Sequence, residues 1–314
     1  DPERPFTPED LQALEKKMQE IVRAGNAEAQ NAARPAEDDL TTSIEKSNAY
    51  IGLMNRTLRA VQSWNRYTSW VNVKTGPTGR ERYIDYGLYS LYDVRDEIAK
   101  ARAAISKPPM VPELDATMGR YIDAYEVLAP IIASANGYYE RKDYKADKMA
   151  EGKALHAKLV PAAKTFLSER AELDNQMRGF KADLDRRSLA AIEAKEGRSA
   201  RWHVRNVMVE AQRMIDLLPT SDAPIINVKT FDTALTGYAT AVKEMDHFSE
   251  AYPGKFSVFE SQPRSLLGKL RDFRDKVARA KGDARRGGGS DLTWIINEYN
   301  MMVSTSDSAL RFSR

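Results

Sequence analysis

From Leu114 the apolar and aromatic residues run Leu114, Met118, Tyr121, Tyr125, Leu128, Ile132, Ala135 and Tyr139, in alternating steps of four and three. With about 3.6 residues to a helical turn, that spacing gathers every one of these side chains onto one stripe of an α-helix, which must be buried. The same steps recur at Ile51, Met54, Leu58 and Val61, and at Val204, Met208, Ala211, Ile215 and Leu218. They recur again at Phe231, Leu235, Tyr238, Val242 and Met245, at Leu266, Leu270, Phe273, Val277 and Ala280, and at Leu292, Ile295, Tyr299 and Met302. No stretch of comparable length alternates with the period of two that a half-buried strand requires. The pattern predicts an all-α fold, an elongated bundle of about seven long antiparallel helices with no β-sheet.

Breakers fall between the stripes. Lys107-Pro108-Pro109, Pro219 to Pro224, Tyr252-Pro253-Gly254 and the Gly287-Gly288-Gly289 hinge delimit helices at about 36–72, 85–106, 112–141, 144–218, 228–251, 263–282 and 291–312. Pro130 and Pro161 are expected to kink their helices, and Gly152, Gly179 and Gly197 to bend or interrupt the long 144–218 stretch. Because every linker is short, residues 36–314 are expected to form a single helical-bundle domain. An acidic arm over 1–35 precedes it.

Composition narrows the function. Of 314 residues 42% are apolar, enough for a sizeable core, and 48 Lys and Arg against 45 Asp and Glu leave a net charge of only +3. That balance does not mark a nucleic-acid binder, and no apolar run is long enough to span a membrane. The absence of cysteine removes disulfides, thiolate metal sites and cysteine nucleophiles. Charge is nonetheless uneven. Residues 1–45 carry 11 acidic and 5 basic side chains, whereas 264–286 carry 9 basic and 3 acidic ones. The basic segment is a candidate for contact with anionic lipid headgroups, or for a solvated helix face.

Catalytic patterns fail on context. Ser43-Ile44-Glu45-Lys46 and Lys74-Thr75-Gly76 match fragments of serine acyl-enzymes, but those fragments need a sheet. No phosphate-cradling loop, zinc-protease helix or nucleophile elbow is present. Glu244, His247 and Glu250 have the ladder spacing of carboxylate-bundle metal sites, and His156 is a further candidate ligand. A second Glu-x-x-His is missing, so a metal- or haem-binding role stands only as the alternative. Trp64, Tyr67 and Trp70, and Tyr83, Tyr86, Tyr89 and Tyr92, recur every three residues and suit core packing with phenols at the rim. No catalytic residue and no cofactor is expected; the chain reads as a non-enzyme.

One segment is more specific. Tyr138-Tyr139-Glu140-Arg141-Lys142-Asp143-Tyr144-Lys145-Ala146-Asp147, followed by Gly152-Lys153-Ala154-Leu155-His156, resembles the YiiG-like bacterial lipoproteins, a family built on a domain of unknown function. Asn48 to Asn55 is similar to that family's opening helix. The resemblance implies an all-helical protein of the periplasm or cell envelope, exported and tethered through a lipidated cysteine upstream of residue 1, with an envelope partner or ligand. It implies no activity. The opening Asp1-Pro2-Glu3-Arg4-Pro5 agrees with the expectation of a preceding signal.

Within this segment Tyr138, Tyr139, Asp143, Tyr144, Asp147 and His156 are the candidate ligand-binding residues. Their spacing also predicts a structural corner. Asp143 should cap the next helix, Asp147 should add a favourable charge to its first turn, and Gly152 should permit close helix approach. His156 should be hydrogen-bonded near the third helix.

Overall fold

The computed structural model describes residues 39–220, 223–256 and 259–312; the expected acidic arm over 1–35 lies outside them. Helix α1 covers 39–68 and is followed by a 3-10 turn at Ile84–Tyr86. Then come α2 (Arg95–Ile105), α3 (Pro112–Glu140), α4 (Tyr144–Asp147), α5 (Ala150–Glu196), α6 (Ala200–Asp216), α7 (Val228–Ala251), α8 (Gln262–Arg279) and α9 (Gly289–Phe312). Among the described residues there is no strand, only an isolated antiparallel bridge between Ile225 and Asp283. The fold is all-α.

Where the sequence suggests one bundle over 36–314, the chain divides into two compact units between Leu184 and Asp185, each with its own apolar core. In the first unit all eight residues of the Leu114–Tyr139 stripe are buried, facing Tyr50, Leu53 and Tyr67 of α1 and Leu159, Phe166 and Leu173 of α5. The buried face of α1 is rotated from the expected stripe: Leu58 is exposed while Lys46, Thr57 and Ser63 are buried. Polar partners make this tolerable, since Thr57 Oγ1 bonds Leu53 O at 2.7 Å and Tyr121 Oη at 2.5 Å.

In the second unit α6 and α8 each pack against both α7 and α9. Asp232 and Asp246 of α7 meet Arg274 and Arg264 of α8, so those two helices run antiparallel. Phe231, Tyr238, Met245, Leu266, Phe273, Ile295 and Met302 fill this four-helix core.

Two boundaries differ from expectation, and the expected break at Gly197 is present. Residues 87–94 are not helical, because Gly87 (φ 53°) ends the 3-10 turn and α1 takes up the backbone that follows. Ser63 Oγ both donates to Tyr89 O and accepts from Tyr89 N at 3.0 Å, and Arg59 and Arg66 donate to the carbonyls of Ser90 and Tyr86. The 144–218 stretch is interrupted twice. Lys148 and Met149 are left-handed between α4 and α5, and Gly197 (φ 67°) ends α5 before Ser199 caps α6 by accepting from Trp202 N. Pro130 and Pro161 remain inside continuous helices.

Candidate functional site

The α3–α5 corner brings part of the expected set together. Tyr138 Oη donates to Asp147 Oδ1 at 2.8 Å, and the same carboxylate accepts from Met149 N at 2.9 Å and Glu151 N at 2.8 Å. The Glu151 amide, with Tyr138 and Met149, holds the Asp147 carboxyl below the usual carboxylate range, while burial first and the Asp147 bond second push the Tyr138 phenol up. Asp147 therefore caps α5. Asp143 does not cap a helix; its carboxylate is held by Arg141 Nε and Nη2 at 2.9 and 2.6 Å. A two-residue left-handed step, Lys148-Met149, moves the start of α5 past the turn that Asp143 precedes.

Tyr139 is buried edge-on to Trp70 and Tyr138, with ring centroids 5.0 Å apart in both pairs. Tyr144 Oη reaches Asp85 at 3.1 Å. Gly152 is required: a Cβ there would lie 2.3 Å from Met149 Sδ and 2.9 Å from Tyr138 Cε1. His156 is hydrogen-bonded, but to the α1 end of the unit rather than to α3. Its Nδ1 pairs with Tyr67 Oη at 2.8 Å and its Nε2 with Val73 O at 3.0 Å. The carbonyl can only accept, so Nε2–H donates to it and Nδ1 accepts from Tyr67 in the neutral ring. Gly76 (φ 75°), the last residue of the Lys-Thr-Gly triplet, leaves room for this ring, since a Cβ would stand 3.0 Å from His156 Cδ2.

Tyr138, Tyr139 and Asp147 thus form one linked group, joined through rings to Tyr144, Tyr67 and His156, while Asp143 turns to Arg141. Nothing in local spacing announced Tyr67, Trp70 or Met149 as members; long-range packing puts them there.

The alternative metal set does not converge. Glu244 lies 3.7 Å from Arg198, and His247 Nδ1 is 3.5 Å from Glu250 with both side chains more than two-thirds exposed. Among the described residues no group of three or more His, Asp or Glu side chains is placed to hold a metal. No described helix is long and apolar enough to cross a membrane.

Five of the nine basic residues of the 264–286 segment are matched by aspartates. Arg264 pairs with Asp246, Arg274 with Asp232, Lys276 with Asp291, and Arg285 and Arg286 with Asp283. Arg274 grips Asp232 through two bonds, at 2.6 and 2.8 Å, which depresses the Asp232 carboxyl. Between these end pairs α7 and α8 enclose a groove of about 720 Å³. Leu235, Ala239, Val242, Leu267 and Gly268 line it together with Thr236 and Thr240. Lys243 and Arg271 also line it, and neither has an acidic partner among the described residues. The groove is an open, partly apolar trough with two cations that lack an acidic partner, and its field is positive. The excess of basic residues was visible in the sequence; which of them stay unpaired depends on aspartates supplied by other helices.

Comparison with known proteins places this architecture. A family model described as "Protein of unknown function (DUF3829)" matches residues 41–309, which include the corner, the groove and most of both units. "Uncharacterized protein YiiG" of Escherichia coli (strain K12) is 27% identical over 310 residues, covering 91% of this chain and 85% of the relative. No solved structure matches the chain. With the family model spanning the chain from the first turns of α1 into the last turns of α9, the protein belongs to the DUF3829 family.

Proposed function

We propose that the protein is a non-catalytic helical binding module of the bacterial cell envelope, tethered through a lipidated cysteine upstream of Asp1, and that the α7–α8 groove receives its ligand. The observation that carries the binding reading is the pair of cations, Lys243 and Arg271, left uncompensated in a groove whose other charges are matched. The envelope location rests on the resemblance of the 138–156 segment to bacterial lipoproteins.

Gly268 supplies the test of binding. A Cβ there would meet nothing within 4 Å, so Gly268→Trp fills the groove with little disturbance of packing. Native mass spectrometry of protein taken gently from the producing cell is expected to show a bound small molecule in wild type and none in Gly268→Trp. Identical adducts in both, or none in either, would count against the groove. Location is tested separately: palmitate label and protein should coincide in the membrane fraction, and unlabelled protein in the cytosol overturns the tether.

A further inference from the structure

We propose that the groove is selective for a small amphiphile with a dianionic head of the phosphomonoester kind and a short apolar tail, an inference that rests on the groove being the binding site. The charged lining comprises Lys243, Arg264, Arg271 and Arg274 against Asp232 and Asp246, a surplus of two positive charges (four minus two). Because Arg264 and Arg274 are committed to the aspartates at the two ends, that surplus belongs to Lys243 and Arg271.

The antiparallel register places these two cations around one point. With Asp232 facing Arg274 and Asp246 facing Arg264, Thr240 comes to lie opposite Gly268 near the midpoint. Lys243 is three residues beyond Thr240 on one wall, and Arg271 three residues beyond Gly268 on the other. At a rise of about 1.5 Å per residue, each begins about 4.5 Å from the midpoint, on opposite sides of it. Both side chains are long enough to converge on one anion there. An arginine fork beside a lysine point charge suits a phosphoryl group, and a dianion matches the surplus. Ala239, Val242 and Leu267 offer the tail an apolar bed.

The aspartates also set the length. Asp232 and Asp246 stand fourteen residues apart, about 21 Å along α7, and each cancels the arginine at its end, so the positive surplus is confined to the stretch between them. The groove is therefore fitted to a short ligand rather than to a polymer or an extended anionic surface.

Calorimetric titration of the purified chain at pH 8 and low salt, with octyl phosphate as the probe, tests this. One-to-one binding is expected. Lys243→Gln and Arg271→Gln, both changes at exposed positions, should each weaken it about tenfold, the value of one charge-assisted contact. Gly268→Trp should abolish it. Inorganic phosphate should bind more weakly, and affinity for octyl phosphate should fall between pH 8 and 5 as the head regains its second proton near pH 6. Thermal melts establish that each variant is folded. Unchanged affinity in Lys243→Gln and Arg271→Gln overturns the proposal, as does octyl glucoside binding equally well. If octyl glucoside binding is lost in Gly268→Trp, the groove reading survives that failure. If no probe distinguishes wild type from Gly268→Trp, the groove reading falls as well. Binding to vesicles containing phosphatidic acid without binding to octyl phosphate also overturns the proposal, in favour of membrane-surface contact.

Discussion

Lys46 Nζ donates to both carboxylate oxygens of Asp115, at 2.8 and 2.9 Å, where α1 meets the start of α3. The same carboxylate accepts from Tyr50 Oη at 2.5 Å and from Val111 N at 2.8 Å, so none of the buried charge lacks a partner. The two side chains are 2% and 6% exposed, which makes the desolvation cost of the pair large and its loss worse. Asp115→Ala would strand a buried ammonium and a phenol. We expect about 3–5 kcal/mol of destabilisation in denaturant melts, against much less for the double change Lys46→Met with Asp115→Leu. Equal losses in the single and double variants would show that packing, not charge, is at stake. Lys46 belongs to the Ser-x-x-Lys match, and this role explains the residue without any chemistry.

His203 is the counterpart in the second unit. Its ring lies between Trp202 and Phe248, at centroid distances of 5.1 and 4.8 Å, and Nδ1 has no hydrogen-bond partner among the described residues. Burial lowers its pKa from the ordinary 6.5, outweighing the attraction of Glu244. A lowered histidine pKa means that the unfolded chain takes up the proton first. Its contribution to stability is therefore complete above about pH 6.5 and is lost as pH falls through the folded-state value. Thermal melts at pH 7.5 and pH 5 should show the second unit weaker in acid, and His203→Phe should flatten that slope. A slope unchanged by the substitution would assign it to the carboxylates.

At the scale of elements, the start of α5 shows both the reach and the limit of sequence reading. The α3 and α7 stripes were legible in full because long helices bury a face of constant width, and Gly152 was legible as a point of close approach. The cap was not. Asp143 and Asp147 both precede an apolar run, and only the left-handed Lys148-Met149 step decides that Asp147 meets the first free amides. Asp147→Ala should thus lower stability by loss of the cap, while Asp143→Ala, which loses an exposed pair with Arg141, should lower it less. Gly152→Ala should cost about 1–3 kcal/mol by driving a methyl group into Met149 and Tyr138. Chemical melts of the three variants check the order, and a larger loss for Asp143→Ala than for Asp147→Ala would reverse the assignment. The 87–94 segment was illegible for a related reason. Its tyrosines repeat every three residues as a helix would, yet Arg56, Arg59 and Arg66 of α1 lie over the rings of Tyr92, Tyr89 and Tyr86 at 5.0, 4.0 and 5.7 Å. Cation–π and carbonyl contacts offered by another helix override a local period.

For the molecule as a whole, the division at Leu184 and Asp185 falls inside α5, where no proline, glycine or polar linker marks it. A boundary carried by an unbroken helix leaves no trace in local composition; it exists only in which residues share a core. The first core gathers α1, α3 and α5 around Tyr121 and Phe166, whose rings stack at 5.1 Å, and the second gathers α6 to α9 around Phe231 and Phe273 at 5.6 Å. If the cores are energetically separate, damage to one should leave the other's amides protected. Phe273→Ala empties a fully buried site and should cost the second unit about 3–5 kcal/mol. Native-state hydrogen exchange should then show faster exchange through α6, α7, α8 and α9, with the slowest amides of α1 and α3 unchanged. An equal loss of protection in α1 and α3 would mean that the continuous α5 helix couples the two cores into one cooperative unit, and that the division is one of packing alone.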